Sequence, residues 1–258
     1  MAEGDVARNV IAVGSGKGGV GKSTVSVNLA LALQSRGQRV GLLDADLHGP
    51  NIPLMVGLTR HEWTQSWTLA ARRQRMLAPV ERHGLKIVSA GFILGEDQPL
   101  TLEGLSAQML VQQLLRGVAW GTLDVLVVDL PPGTADVQQQ LLKSIALSGA
   151  VVVVTPQYLA HLDARKAVQM YRRAGVRVLG AVENMAGIAC PHCGELVEVF
   201  PAVPEPRSVW AMGVERLASI PLDPAVAAAA DGGRPLADAA PTPAKSFSGL
   251  AGRVMELL

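Results

Sequence analysis

The sequence has very little cysteine: two residues, Cys190 and Cys193, in a chain of 258. Two cysteines so close together cannot staple distant parts of a fold, and secreted disulfide scaffolds contain more of them. This scarcity excludes a disulfide-stabilised secreted protein. The two thiols are nevertheless spaced like a pair of metal ligands.

Charge is also sparse, and neither sign dominates. Only 17% of the residues are charged, with 23 basic residues against 22 acidic ones. Such a chain has no overall field that would attract it to nucleic acid or to an anionic membrane. We therefore predict no nucleic-acid partner and no membrane partner.

Long apolar runs are missing as well. No uninterrupted run is long enough to span a bilayer, and the N-terminus lacks the charged region and apolar core of a secretion signal. We therefore expect a cytoplasmic protein. Because 49% of the residues are hydrophobic, the chain is not intrinsically disordered, and residues 1–258 are predicted to form a single domain.

What the sequence does have is a glycine-rich loop with phosphate-binding spacing, Gly16-Lys17-Gly18-Gly19-Val20-Gly21-Lys22-Ser23-Thr24. It lies between a predicted strand at residues 9–13 and a predicted helix at residues 23–34. The backbone N–H groups of such a loop surround phosphate oxygens at the positive end of the helix. We predict that Lys22 contacts the β- and γ-phosphates and that the Ser23 hydroxyl binds Mg²⁺. The alternative is a glycine-rich turn with a solvated lysine.

Apolar runs of strand length recur along the chain without polar alternation, which is typical of parallel strands covered on both faces. They lie at residues 10–13, 40–43, 85–88, 125–128, 150–154, 177–182 and 218–220. Helical patterns lie between several of them, at residues 23–34, 106–116, 135–146 and 162–173. The alternation predicts an α/β fold, a doubly wound and mainly parallel sheet flanked by helices. Ligands of such sheets bind at the carboxyl ends of the strands.

One stretch, residues 50–83, interrupts this alternation. It contains Trp63 and Trp67 without a clean period. It is predicted either to be a partner-binding lobe near the nucleotide or to be a solvated excursion with its tryptophans turned inward.

Two of the apolar runs end in aspartate. The run at residues 40–43 leads to Asp44 and Asp46, and the run at residues 126–128 leads to Asp129. A carboxylate at the end of a buried strand is unfavourable without a cation or donor, so its position predicts a polar ligand. Asp129 is expected to hold a magnesium-bound water, and Asp44 to support Mg²⁺ indirectly. A turn or helix cap is the alternative for Asp44 and Asp46.

The turn after Asp129 reads Leu130-Pro131-Pro132-Gly133-Thr134. Two prolines stiffen it, and Gly133 is expected to leave its backbone N–H free to approach the γ-phosphate. Such a turn would report whether ATP or ADP is bound. The alternative is a stop before the next helix, with Thr134 as its N-cap.

Residues 17–23 resemble the signature of the deviant Walker A ATPases, Lys-Gly-Gly-Val-Gly-Lys-(Ser/Thr). The resemblance implies a P-loop NTPase that forms a homodimer, with Lys17 crossing to the partner's nucleotide like an arginine finger. It also implies that Asp46 positions the attacking water and that Asn184 contacts adenine. Lys17 adding charge to its own site, and Asn184 as a turn residue, are the alternatives.

The reaction implied is in-line attack of water on the γ-phosphorus of ATP. Mg²⁺, Lys22 and the partner's Lys17 would neutralise the charge that develops.

The thiols of Cys190 and Cys193 lie in a predicted metal-binding segment, residues 188–200. Two thiolates hold only one side of a metal ion or cluster, whereas a closed site usually has four ligands. A symmetric homodimer brings two such pairs together. An iron–sulfur cluster, zinc and a redox disulfide all remain open for this pair.

Further motifs are similar to those of the Mrp/ApbC branch, the iron–sulfur cluster carriers. They are Asp-x-Asp-Leu-x-Gly-Pro from Asp44, Asp129-Leu130-Pro131-Pro132-Gly133-Thr134, Thr155-Pro156-Gln157, Glu183-Asn184-Met185 and the cysteine pair. The resemblance implies a [4Fe-4S] cluster bound across the dimer and passed to apo iron–sulfur proteins. The likeness departs at residues 200–206, where prolines replace a glycine-rich stretch, and near residues 101–105, where a tryptophan-containing element is missing.

Two other functions compete with this interpretation. One is an ATP-dependent spatial regulator of the septum-site or partitioning type, whose cysteine pair binds zinc or is redox-active. Membrane binding by such a regulator usually needs a terminal amphipathic helix, but residues 245–258 have few cations and are predicted to form a packed last helix. The other is an electron-donating reductase, which would normally require additional cysteines.

Overall fold

A mainly parallel sheet lies at the centre of the computed structural model, which describes residues 6–47, 49–59, 76–92, 105–133, 138–139, 141–142, 145–190, 192–234 and 241–258. The strands are β1 Asn9–Ser15, β2 Val40–Asp44, β3 Val80–Arg82, β4 Leu85–Ser89, β5 Val125–Asp129, β6 Gly149–Val154, β7 Val178–Ala189, β8 Leu196–Val197 and β9 Arg216–Leu222. The helices are α1 Lys22–Gln34, α2 Ile52–Met55, α3 Leu105–Arg116, α4 Tyr158–Arg173, α5 Pro224–Asp231 and α6 Pro241–Leu257.

The strand order shows that the sheet is doubly wound. Within the described residues it has nine strands in the order β3-β4-β2-β5-β1-β6-β7-β8, and β9 pairs with β7. The pairs from β4 through β2, β5, β1 and β6 to β7 are parallel, whereas β3 and β8 pair antiparallel. The order reverses around β1, and the ligand site of such sheets lies at this kind of reversal. The predicted α/β fold class is confirmed.

Burial on both faces explains why the strands form from unbroken apolar runs. Every residue of β2, β5 and β6 is buried, and β-branched residues suit such positions. The last helix, α6, also packs inward, because Phe247, Leu250, Ala251 and Val254 are buried. The expectation of a packed C-terminal helix is therefore confirmed.

Strand β7 is longer than the apolar run at residues 177–182 predicted. It continues to Ala189 although Met185 has a φ of 59° and Gly187 a φ of 119°. Ile188 pairs with Val197 of β8 and with Leu222 of β9. Partners on both sides therefore extend the strand through a stretch whose sequence has no strand pattern.

Some of the predictions fall outside the described residues. Residues 60–75, which include Trp63 and Trp67, lie outside the described part, so the lobe at residues 50–83 stays a prediction. The described part of residues 50–83 contains α2 and the edge strand β3. Thr134, the predicted cap, and half of the residues of the helix predicted at residues 135–146 are also outside the described part. In the parts of the chain that the structure describes, no helix is both long enough and apolar enough to span a membrane.

Candidate functional site

The glycine-rich loop connects β1 to α1 at the carboxyl edge of the sheet, and three of its glycines are required by its geometry. Gly19 and Gly21 have φ values of 78° and 81°, in the region that residues with a Cβ avoid. A Cβ on Gly21 would lie 2.2 Å from Asn184 Nδ2, and a Cβ on Gly16 would lie 2.1 Å from the carbonyl carbon of Asp163. The loop is thus packed between β7 and α4, with its exposed tip at Gly18 and Gly19.

Asp129, at the end of β5, is the carboxylate on which the loop side chains converge. It is fully buried. Its Oδ2 accepts hydrogen bonds from Lys22 Nζ at 2.8 Å and from Ser23 Oγ at 2.7 Å, and its Oδ1 accepts one from Ser26 Oγ at 2.6 Å. The structure therefore brings Lys22, Ser23 and Asp129 together. Ser26 was missed in the sequence, although its position three residues after Ser23 places both on one face of α1.

Asp44 lies beside Asp129 in the parallel register of β2 and β5. Burial, and then the neighbouring charge of Asp129, raise the pKa of Asp44 to about 8. Its oxygens accept hydrogen bonds from Ser89 Oγ at 2.9 Å and from the backbone N–H groups of Asp46 at 3.2 Å and Ile52 at 3.3 Å. The structure thus shows the turn-capping alternative for Asp44, and its support of Mg²⁺ stays a prediction.

Asp46 lies two residues after the end of β2, and it is closer to Lys22 than Asp44 is. Its Oδ2 is 3.6 Å from Lys22 Nζ, and its Oδ1 accepts a hydrogen bond from the backbone N–H of Gly49 at 3.3 Å. Its placement beside Lys22 is compatible with the predicted role in positioning water.

The expectation that the backbone N–H of Gly133 is free is wrong in this structure. Its backbone N–H is not free, because it donates to the carbonyl oxygen of Ser15 at 3.0 Å. The φ of 93° at Gly133 allows the turn to reach the end of β1. The turn after Asp129 is therefore attached to the start of the phosphate loop.

Asn184 and Lys17 each contact the protein itself. Asn184 is buried, and its Nδ2 donates to the carbonyl oxygen of Val20 at 2.9 Å. Lys17 Nζ donates to Gln157 Oε1 at 3.1 Å. Asn184 therefore supports the loop from β7, and its contact with adenine stays a prediction. Gln157 was found in the sequence only as part of a motif, without a role.

The thiols lie on the turn of the β7–β8 hairpin. Cys190 is half-buried, Cys193 is exposed and both are free. The backbone N–H of Cys190 donates to the carbonyl of Glu195 at 2.8 Å, and that of Gly194 to the carbonyl of Cys190 at 2.8 Å. Hydrogen bonds from the backbone N–H groups of Cys193 and His192 lower the pKa of the Cys190 thiol. The turn therefore favours the thiolate, the form that binds metals.

Within the described part of one chain, these two thiols do not belong to a larger ligand set. Among the described residues, no group of three or more histidine, cysteine, aspartate or glutamate side chains is placed to hold a metal ion. A closed site built on Cys190 and Cys193 would need ligands from elsewhere.

A cleft of about 360 Å³ lies beside the hairpin, between α4 and the segment that follows β8. His161, Glu183 and residues 198–203 are among the residues that line it. The backbone N–H of Val209 donates to His161 Nδ1 at 3.1 Å. Burial lowers the pKa of His161 and raises that of Glu183. The proline-containing segment, where the sequence departs from its resemblance, therefore forms part of the lining of this cleft.

Apolar side chains are exposed around the same turn. Ile188, Leu196, Val197 and Val199 are 37%, 57%, 53% and 46% exposed. Surfaces of this kind often mark sites of protein interaction.

Comparison with known proteins identifies the family. The family model for NUBPL iron-transfer P-loop NTPases, of the ParA group, matches residues 6–255. The chain is 45% identical over 247 residues to the iron-sulfur cluster carrier protein of Aquifex aeolicus, covering 95% of this chain and 66% of that protein. It is 41% identical over 229 residues to the iron-sulfur cluster transfer protein NUBPL of Dictyostelium discoideum, covering 89% of this chain and 69% of that protein. The chain thus spans slightly less than two thirds of the Aquifex relative.

Solved structures show the same fold. A nucleotide-binding protein from Archaeoglobus fulgidus in complex with ADP superposes with a TM-score of 0.72 at 36% identity, covering 89% of this chain and 88% of that one. The cell division ATPase MinD of Pyrococcus furiosus superposes with a TM-score of 0.68 at 24% identity, covering 97% and 100%; this second likeness concerns the fold alone. From the motif, the geometry and these relatives together, the chain belongs to the NUBPL iron-transfer P-loop NTPase family.

Proposed function

We propose that this protein is an ATP-binding and ATP-hydrolysing iron–sulfur cluster carrier of the cytoplasm. Two copies bind a [4Fe-4S] cluster between them and pass it to apo iron–sulfur proteins. The observation that carries the proposal is the pair of free thiols, half-buried Cys190 and exposed Cys193, on the same chain as a complete phosphate loop. Relatives named as cluster carrier and transfer proteins favour this function over a septum-site or partitioning regulator.

The phosphate loop is suited to ATP and Mg²⁺. Its left-handed glycines turn the backbone around an anion site at the start of α1, and such a site favours phosphate. Lys22 would hold the β- and γ-phosphates, Ser23 would bind Mg²⁺ and Asp129 would hold a water of that ion. Bound Mg²⁺ would neutralise phosphate charge. Because Lys22 and Ser23 both donate to Asp129, binding ATP would transfer these two donors from protein to ligand.

Residues near the γ-phosphate position would promote hydrolysis. Asp46 lies 3.6 Å from Lys22 Nζ, where a carboxylate can orient a water molecule by accepting its proton in a hydrogen bond. Lys17 would reach the nucleotide of the other copy and stabilise the charge that develops there. Hydrolysis would then depend on the pairing of two chains.

Pairing would also complete the thiol site. One chain contributes two thiolates, and two chains related by a two-fold axis contribute four. The exposed apolar residues Ile188, Leu196 and Val197 flank the thiols on the hairpin and would be covered when two hairpins meet. Backbone hydrogen bonds lower the pKa of the Cys190 thiol, which favours the thiolate, the form that binds metals.

Anaerobic reconstitution with iron and sulfide tests this proposal. We expect four iron and four sulfide per two chains, because four thiolates satisfy one cluster of that size. Cys193→Ser should lose the cluster, since each chain then supplies one thiolate. His192→Ala is the matched control, because His192 is exposed in the same turn, and it should load normally. Binding of zinc without sulfide would contradict the proposal.

A further inference from the structure

The start of the phosphate loop is fixed on helix α4 by a close backbone contact. Gly16 approaches Asp163 so closely that a Cβ at Gly16 would lie 2.1 Å from the Asp163 carbonyl carbon. Glycine is therefore required at this position by packing as well as by its role in the loop. The side chain of Lys17, the next residue, reaches the N-terminal end of α4.

At that end of α4, Gln157 occupies the N-cap position with φ −90° and ψ 138°. A side chain at the N-cap commonly accepts a hydrogen bond from the first turn of its helix. Gln157 makes no such bond. Its Oε1 accepts a hydrogen bond from Lys17 Nζ at 3.1 Å instead.

The acceptor for Lys17 is a neutral amide and not a carboxylate, which decides how much of the lysine's charge remains available. The nearest carboxylate on α4, Asp163, is held by Lys166 at 2.9 Å, and among the described residues Gln157 is the hydrogen-bond partner that the structure gives to the Lys17 ammonium. A neutral amide accepts one of the three ammonium hydrogens without neutralising the charge, and it leaves two hydrogens for anionic oxygens. A carboxylate at the same place would compete with phosphate for the lysine.

We infer that Gln157 is the positioning residue for Lys17: it orients the ammonium while leaving its charge and two of its hydrogens available to the partner's nucleotide. The inference rests on the role proposed above for Lys17. It gives the motif Thr155-Pro156-Gln157 a part in nucleotide hydrolysis. A lysine without this hydrogen bond would lose side-chain entropy when two chains pair. The lysine bound to Gln157 has already lost much of that entropy, so pairing costs less.

The test measures ATP hydrolysis as a function of protein concentration, together with the molar mass in the presence of ATP. Gln157→Ala should lower pairing-dependent hydrolysis about fivefold, the effect of one lost hydrogen bond. Gln157→Glu should lower it more than Gln157→Ala, because the new carboxylate neutralises the ammonium. Gln169→Ala, an exposed glutamine on the same helix, is the matched control and should behave as the unchanged protein.

A double variant separates positioning from a general structural effect. In a Lys17→Ala background, Gln157→Ala should cause no further loss, and the melting temperature and the ADP affinity of the single chain should be unchanged by Gln157→Ala. Unchanged hydrolysis in Gln157→Ala, or an equal loss with and without Lys17, would overturn the inference alone. Full hydrolysis and pairing in Lys17→Ala would overturn both the inference and the proposed role of Lys17.

Discussion

At the scale of single residues, Asp129 organises the side chains of the proposed nucleotide site. Lys22, Ser23 and Ser26 all donate to this fully buried carboxylate. A buried charge is tolerated only when donors surround it, and removing one donor leaves the others to compensate for it. We therefore expect Lys22 to contribute to the stability of the free protein in addition to its proposed contact with phosphate.

Lys22→Ala should abolish ATP binding and also destabilise the nucleotide-free protein, because it leaves Asp129 without its cation. Breaking a buried ion pair typically costs about 3–5 kcal/mol, and the two serine donors should keep the loss at the lower end. Calorimetric titration with ATP and urea unfolding measure the two effects. A variant that binds ATP normally would contradict the assignment of Lys22.

Asp46→Asn should affect hydrolysis and spare ATP binding, whereas Lys22→Ala should abolish binding. The amide retains the volume and keeps an acceptor for the Gly49 N–H, so ATP binding should be spared. Hydrolysis should slow by about a hundredfold or more, within the range usual for a positioned proton acceptor. Hydrolysis at the unchanged rate, measured by phosphate release, would show that the assignment of Asp46 is wrong.

Asp44 makes the unfolding free energy depend on pH. Its pKa is raised to about 8 in the folded protein, so the folded state keeps a proton that the unfolded state loses above about pH 4. Stability contributed by this proton is complete below the unfolded pKa and is lost as the pH rises toward 8, with a slope of up to about 1.4 kcal/mol per pH unit. Asp44→Asn, which is always neutral, should lack this component.

The comparison requires urea unfolding of both proteins between about pH 5 and 8 without nucleotide or Mg²⁺. The Asp44→Asn variant should gain stability relative to the unchanged protein as the pH rises. Two curves that stay parallel over this window would contradict the raised pKa of Asp44.

At the scale of elements, the parallel strands and the loop were predictable from the sequence because local signals determine them, whereas the short antiparallel strands β3 and β8 were not predicted. Unbroken apolar runs form buried parallel strands, and aspartates that end two of these runs arrive next to each other at one edge of the sheet. The bond from Gly133 to Ser15 and the contact of Gln157 with Lys17 were not predictable in this way. Each joins residues more than a hundred positions apart, and depends on the order in which the strands pair.

The β7–β8 hairpin was also predictable only in part from the sequence. Its cysteines were recognisable by spacing, but the extension of β7 to Ala189 depends on pairing of Ile188 with both β8 and β9. These pairs fix the base of the turn that carries Cys190. The thiol turn is therefore attached to the same sheet as the phosphate loop, and Asn184 of β7 contacts that loop directly.

At the scale of the whole molecule, both proposed sites need two copies of the chain. Each described chain has one pair of free thiols, and Lys17 bound to its own subunit. A second copy would supply the missing thiolates and receive the lysine. The proposed cluster site and the proposed hydrolysis site are thus completed by the same event.

Native mass spectrometry of the anaerobically reconstituted protein with ATP and Mg²⁺ tests this claim most directly. We expect a species whose mass equals two chains plus one Fe₄S₄ unit and the bound nucleotide, and in Cys193→Ser the paired chains should lack the mass of the Fe₄S₄ unit. A fully loaded species of one chain, carrying a cluster or zinc of its own, would contradict the account.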